Sequence, residues 1–306
     1  MLSPQQGIEW SYGELDEKSR CLASGLEDIG YKPGSVAISD VPNVVENLLL
    51  QLALSHLGGS ICTPPKDAAA MEAISQKFNI RGVVCLDGEA PPSTAVLQDP
   101  LPLTYLSVGD GCRPAAGSVE FTELITHCPP RGDAPVANEG STLGIYGGAA
   151  LTHGTALALG ADASRKLSIG PGDRVCCSVT LMHAFGIASA CTTALISGAA
   201  VVLPAVGGIK GCGDPKQRAS VTLEILATTG TTVLFGDSHT LKALVALPPP
   251  LPEPSALSLR TGVIKIGSGN DFLDGVTEIP APAKGGGAAT PLEFLGTAFH
   301  AFGKKA

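Results

Sequence analysis

Two histidines stand out among the six in the sequence, His153 and His183, because each is placed where a turn meets an apolar run. An imidazole can exchange a proton near neutral pH, bind an anion or ligate a metal. The plainer alternative is a hydrogen-bonded histidine that closes a strand–helix junction. Two glycine pairs stand at the ends of apolar segments, Tyr146-Gly147-Gly148 and Gly267-Ser268-Gly269. Backbone N–H groups at such turns can face an anion, and glycine there equally serves a tight turn. The stretch Gly207-Gly208-Ile209-Lys210-Gly211-Cys212-Gly213 lacks the Gly-Lys-Ser/Thr ending of a P-loop. No Gly-x-Ser-x-Gly elbow presents a nucleophile. The nine cysteines, at 21, 62, 85, 112, 128, 176, 177, 191 and 212, have no Cys-x-x-Cys spacing, so no zinc or other metal site is expected. Several lie in apolar runs such as Val83-Val84-Cys85-Leu86, as small buried side chains do in a reducing, intracellular compartment. No complete catalytic constellation is legible.

The elements that must position these residues alternate. Hydrophobic residues make up 44% of the 306, enough for a substantial core. The longest apolar stretch, Ile187–Pro204, is broken by Ser189, Thr192, Thr193, Ser197 and Gly198, so no membrane span is expected. The net charge of −8 and the absence of any long basic run argue against nucleic-acid binding. Ser11 and Glu14 have capping-box spacing ahead of the apolar stripe Leu15, Leu22, Leu26 and Ile29. Strands are expected at 36–38, 60–62 and 82–86, with helices at 44–57 and 68–78 between them. After a Pro/Gly-rich interval at 129–140 the pattern resumes. Strands are expected at 142–146, 174–179, 199–203, 232–235 and 262–266, and helices at 154–167, 185–196, 217–228 and 237–246. Alternation of this kind predicts parallel βαβ units.

Several stretches together resemble the adenylate-forming superfamily, which includes acyl-CoA synthetases. They are Tyr12-Gly13-Glu14-Leu15-Asp16 with Gly30-Tyr31-Lys32-Pro33-Gly34 and Gly58-Gly59 to Pro64; Ile145-Tyr146-Gly147-Gly148 with Leu151-Thr152-His153-Gly154; Leu181-Met182-His183-Ala184-Phe185-Gly186; and Gly198 to Pro204. Thr231 to Gly236 and Leu259-Arg260-Thr261-Gly262 continue in order. The resemblance implies an α/β fold like the large N-terminal domain of these enzymes, with two βαβ-rich subdomains at about residues 1–130 and 131–306 and without the C-terminal domain. It implies that His183 and Phe185 line an acyl pocket and that Gly267 and Gly269 lie on the adenine side. Tyr146 and His153 would flank the phosphate loop, completing the candidate pocket residues Tyr146, His153, His183, Phe185, Gly267 and Gly269.

The sequence also departs from that pattern. Gly147-Gly148 runs almost directly into Ala149-Ala150-Leu151-Thr152, no lysine lies between Arg131 and Arg165, and the sequence closes on Phe302-Gly303-Lys304-Lys305-Ala306 where the resemblance would place Thr-Glu. A hard-oxygen magnesium site cannot use those last residues. Gly147-Gly148 is accordingly expected as a tight turn between strand and helix. The reading that follows is a non-catalytic structural or accessory subunit, covered by other protein subunits of a larger assembly, with no cofactor and with the mitochondrial matrix as one candidate compartment. A module retaining an acyl-CoA or nucleotide ligand, and a ligase completed by a second polypeptide, are the alternatives.

Overall fold

The computed structural model describes residues 1–86, 104–106, 119–132, 136–205, 213–266, 276–277 and 292–302. The chain folds as two compact units, Trp10–Thr155 and Met1–Glu9 together with Ala156–Ala306. The strand at 142–146 therefore belongs to the sheet of the first unit.

The described part of the first unit is built on a seven-stranded sheet. Its order is Val119–Glu120, Thr104–Leu106, Asn79–Leu86, Ser35–Ser39, Ser60–Cys62, Thr142–Tyr146 and Ala149–Thr152. All neighbours are parallel except the last pair. The expected capping box opens helix Tyr12–Asp28: the Ser11 hydroxyl accepts from the Glu14 N–H and the Glu14 carboxylate accepts from the Ser11 N–H. Leu15, Leu22 and Leu26 are its buried stripe. Helix Val45–Leu57 is buried on almost every side and ends at Gly58, whose φ of 71° is the left-handed C-cap conformation. On one face of the sheet Val36, Ile38, Cys62, Val83 and Ile145 pack against Met71 and Ile74 of helix Ala68–Ser75.

The second unit holds an eight-stranded sheet, ordered Val276–Thr277, His300–Phe302, Thr261–Lys265, Val233–Asp237, Arg174–Cys177, Ala200–Val202, Leu2–Ser3 and Ile8–Glu9. The six strands from His300–Phe302 to Leu2–Ser3 run parallel, and an antiparallel strand closes each edge. The two N-terminal strands are not legible in the sequence because each has only two residues, too few to show a period. Asp237 caps helix Ser238–Val245 as expected, accepting from the Thr240 N–H at 2.7 Å. The stretch expected as one helix over 185–196 is instead a π-helix, Phe185–Cys191, running into an α-helix, Thr192–Ser197. The core under this sheet joins Val202, Leu234 and Ile264 to Ile225, Leu226, Leu241 and Leu244 of the flanking helices.

Candidate functional site

Open α/β sheets receive ligands at the carboxyl ends of their parallel strands. In the second unit the register puts Asp237 opposite Lys265 and Lys265 opposite Phe302. These three residues form a row on one face at that end. Two residues earlier, the row on the same face is Cys177, Phe235, Val263 and His300. The segment after Arg174–Cys177 folds over this face. The Phe185 ring sits 4.7 Å from the Phe302 ring and 5.9 Å from the Phe235 ring, both tilted by 47°, a favourable arrangement of aromatic quadrupoles. Gly186 makes this turn feasible. A Cβ there would lie 2.1 Å from the Thr180 carbonyl oxygen, so the loop approaches the start of the π-helix more closely than any side chain permits.

His183 is carried by this same loop. Its Nδ1 accepts from the Phe185 N–H at 3.1 Å, and its Nε2 lies 3.2 Å from Lys265 Nζ. Burial, reinforced by the Lys265 charge, lowers its pKa to about 4, so the ring is neutral at pH 7. With Nδ1 accepting, the ring's one proton is assigned to Nε2. An ammonium group has no lone pair to receive it. The imidazole N–H and the ammonium are thus two donor groups held side by side, 3.2 Å apart. The structure joins His183 and Phe185 through this hydrogen bond. Lys265, beside His183, is a candidate residue that the sequence reasoning missed. The available signal was a charged residue closing the apolar run Val263-Ile264-Lys265 just before Gly267-Ser268-Gly269. Gly267 and Gly269 themselves lie outside the described residues.

Tyr146 and His153 belong to the first unit. Gly147 and Gly148 have φ of 58° and 85° and form a two-residue turn, with Tyr146 paired to Ala149 across it. Positive φ at both central positions is what a tight hairpin of right-twisted strands needs. The expected strand-to-helix turn is therefore corrected: the glycines join two antiparallel strands, and the helix begins only at His153. The extra strand, Ala149–Thr152, is invisible in the sequence because Ala149 and Ala150 are exposed while only Leu151 is buried. The turn is stitched down by Thr63, whose hydroxyl accepts from the Gly147 N–H at 3.0 Å. Tyr146 points inward: it is buried, and its hydroxyl donates to Gln51 Oε1 at 2.9 Å. Gln51 in turn donates to Asn47, whose amide holds the Val41 and Pro42 carbonyls. The ring occupies space that only a glycine at 144 leaves open, since a Cβ there would meet it at about 2.5 Å. The backbone N–H of His153 donates to the Ser141 carbonyl. Its side chain is half-buried, with no hydrogen-bond partner for Nε2 among the described residues, and burial lowers its pKa.

No protein-family model matches the chain. Among curated proteins, a sulfoacetate–CoA ligase of Cupriavidus necator is 26% identical over 92% of this chain and 57% of its own length. The 4-coumarate–CoA ligase 5 of Oryza sativa subsp. japonica is 26% identical over 64% of this chain and 38% of its own length. The chain is thus similar in sequence to CoA ligases of the adenylate-forming superfamily. Solved structures agree in fold. The anthranilate CoA ligase AuaEII in complex with anthranoyl-AMP superposes with a TM-score of 0.70 at 17% identity, over 89% of this chain and 52% of that one. A benzoate CoA ligase from Burkholderia xenovorans LB400 gives 0.66 at 20% identity, over 84% and 50%. The fold is that of the N-terminal domain of adenylate-forming enzymes, and the chain spans a little over half the length of the sulfoacetate–CoA ligase.

These likenesses overturn the expectation of a non-catalytic structural or accessory subunit. Both curated relatives are ligases, and neither is a structural subunit. That expectation rested on a shortened turn and on motifs beyond Phe302, and the latter residues lie outside those described. Among the described residues no helix is long and apolar enough to cross a membrane. Nor, among them, does any group of three or more His, Cys, Asp or Glu stand ready to hold a metal ion.

Proposed function

We propose that this chain is the acid-binding part of a carboxylic acid–CoA ligase. A carboxylate oxygen would attack the α-phosphorus of ATP, expelling pyrophosphate and leaving an acyl-adenylate. The thiol of CoA would then attack the acyl carbon and expel AMP. The observation that carries this reading is the 26% identity to a sulfoacetate–CoA ligase over 92% of the chain.

The strand-end site supports it by its chemistry. Neutral His183 offers an N–H through Nε2, and Lys265 adds a positive charge 3.2 Å away. Together they suit an oxygen anion, and charge-assisted hydrogen bonds of this kind are the strong ones. Phe185 and Phe302 give the same place an apolar wall, suited to an acyl or aryl body. Gly147-Gly148 makes a shorter turn than the phosphate loop of the family, so the nucleotide phosphates must find their donors elsewhere in this protein.

Acid-dependent exchange of labelled pyrophosphate into ATP tests the proposal with sulfoacetate, 4-coumarate, benzoate and anthranilate as the panel. At least one acid should support exchange. Lys265→Met should then raise the KM for that acid by about tenfold or more, the effect of losing a charged partner worth roughly 1.5–3 kcal/mol. If no acid supports exchange and none shifts the melting temperature, the reading fails.

A further inference from the structure

The first unit contains a cleft of about 450 Å³ beside the Gly147–Gly148 turn, remote in sequence from His183 and Lys265. This volume falls in the range of small-molecule sites. Its walls are largely apolar. Pro64 and Pro65 follow the Ser60–Cys62 strand, Ala70, Ala73 and Ile74 come from helix Ala68–Ser75, and Phe78 follows that helix. The rim is cationic. Lys66 and Lys77 both border the cleft, both are exposed, and neither ammonium has a partner among the described residues. The acid on the rim, Asp67, is already engaged as the cap of helix Ala68–Ser75, accepting from the Ala70 N–H at 2.8 Å. Thr63 is likewise occupied in holding the Gly147 amide.

With two lysines against one capped carboxylate, the rim carries a net positive charge over an apolar slot, which suits an anion with an apolar body. We propose that this cleft binds a small aromatic anion, its ring against Ala73, Ile74 and Phe78 and its carboxylate, sulfonate or phosphate between Lys66 and Lys77. The site belongs to the first unit and does not depend on the acid-binding role of His183 and Lys265. Most of its lining comes from consecutive elements, strand, loop and helix, and the rest from Gly147 and Gly148 of the same unit.

The test uses two fluorescent probes of similar shape, anionic 1-anilinonaphthalene-8-sulfonate and uncharged N-phenyl-1-naphthylamine, titrated into the full chain. Two variants are compared with the wild type: the double charge reversal Lys66→Glu with Lys77→Glu, and Ala73→Trp, which fills the slot from an exposed helix position. Circular dichroism and melting temperature establish that both are folded. The wild type should bind the sulfonate saturably. The double reversal should weaken it about tenfold or more while moving the neutral probe by less than about twofold, as expected for rim charges. Ala73→Trp should abolish the saturable phase for both. Equal weakening of the two probes by charge reversal, unchanged sulfonate affinity in that variant, unchanged binding in Ala73→Trp, or no saturable binding to the wild type would each overturn the proposal.

Discussion

The two units place comparable strand ends in opposite states. In the second unit, the ends of Val233–Asp237, Thr261–Lys265 and His300–Phe302 gather a cation, a neutral imidazole 3.2 Å from it and an aromatic wall. In the first unit, the end of Thr142–Tyr146 turns back through Gly147-Gly148, and its nearby polar groups are spent on one another: Thr63 on Gly147, Tyr146 on Gln51, Gln51 on Asn47. One arrangement sets a cation beside a neutral imidazole and aromatic rings, and the other links neutral polar groups to one another. The same fold element can thus serve chemistry or closure according to whether it carries charged and titratable groups or neutral ones paired locally.

The largest expected effect comes from the glycines that make the two turns. At Gly186 an added Cβ would collide with backbone, 2.1 Å from the Thr180 oxygen, and nothing flexible can yield. Gly186→Ala should cost about 3 kcal/mol, at the upper end of overpacking effects, and should displace the loop that carries His183. Gly148 has only its φ of 85° to defend, with no atom within 4 Å of a new Cβ. Gly148→Ala should cost about 1 kcal/mol, the strain of a left-handed residue. Urea unfolding midpoints of the two variants measure the contrast. Equal losses would mean that the hairpin is held as tightly as the site.

How much of this is readable from the residues follows from the same contrast. Elements with a cap and a period are legible: Ser11 with Glu14 opens the first helix, Asp237 caps another, and Thr142–Tyr146 is placed to the residue. His183 and Phe185 are legible as a pair because they are close in sequence and belong to a resembling motif. Lys265 is not, since its contact with His183 spans 82 positions and depends on strand register. The Ala149–Thr152 strand lacks a hydrophobic alternation, so Gly147-Gly148 looks in sequence like an entry to a helix. The non-catalytic reading fails for a different reason: it weighs a short turn and the last residues above the likeness of the whole chain.

The charge state of His183 sharpens the comparison next. Its folded pKa, lowered to about 4 first by burial and then by Lys265, lies below the ordinary value of 6.5. Between those values the unfolded chain binds a proton that the folded chain refuses. Stability contributed by the neutral ring is therefore present above pH 6.5 and is lost as pH falls towards 4, by about 2 kcal/mol once the solvent reaching the half-buried ring is allowed for. His56 and His153 of the first unit are also lowered by burial and slope the same way. Comparing wild type with His183→Asn isolates the site: the variant should show a shallower loss of stability between pH 6.5 and 4 in urea titrations. An unchanged slope would mean that the imidazole is not buried as the strand-end geometry requires.

The smallest effect concerns the opposite, amino-terminal ends of the same strands, where no ligand is expected and the interactions are wholly internal. Arg260 donates to both oxygens of Asp173 at 3.0 and 2.8 Å and also to the Leu167 and Ser168 carbonyls. Thr232 and the Gly170 N–H complete the carboxylate's shell. Burial of Asp173 pushes its pKa up, but these hydrogen bonds and the Arg260 charge outweigh it and hold the carboxyl at about 2. The sign is that of a depressed acid: the stabilisation is complete above the unfolded value near 3.9 and disappears as pH falls towards 2. Arg260 is 40% exposed, so solvent screening reduces the expected contribution to about 1 kcal/mol. Asp173→Asn should flatten the stability profile in that window and leave the His183 window untouched. If removing Asp173 instead altered the slope between pH 6.5 and 4, the two ends of these strands would be coupled, and the separation between a structural end and a ligand-binding end would not hold.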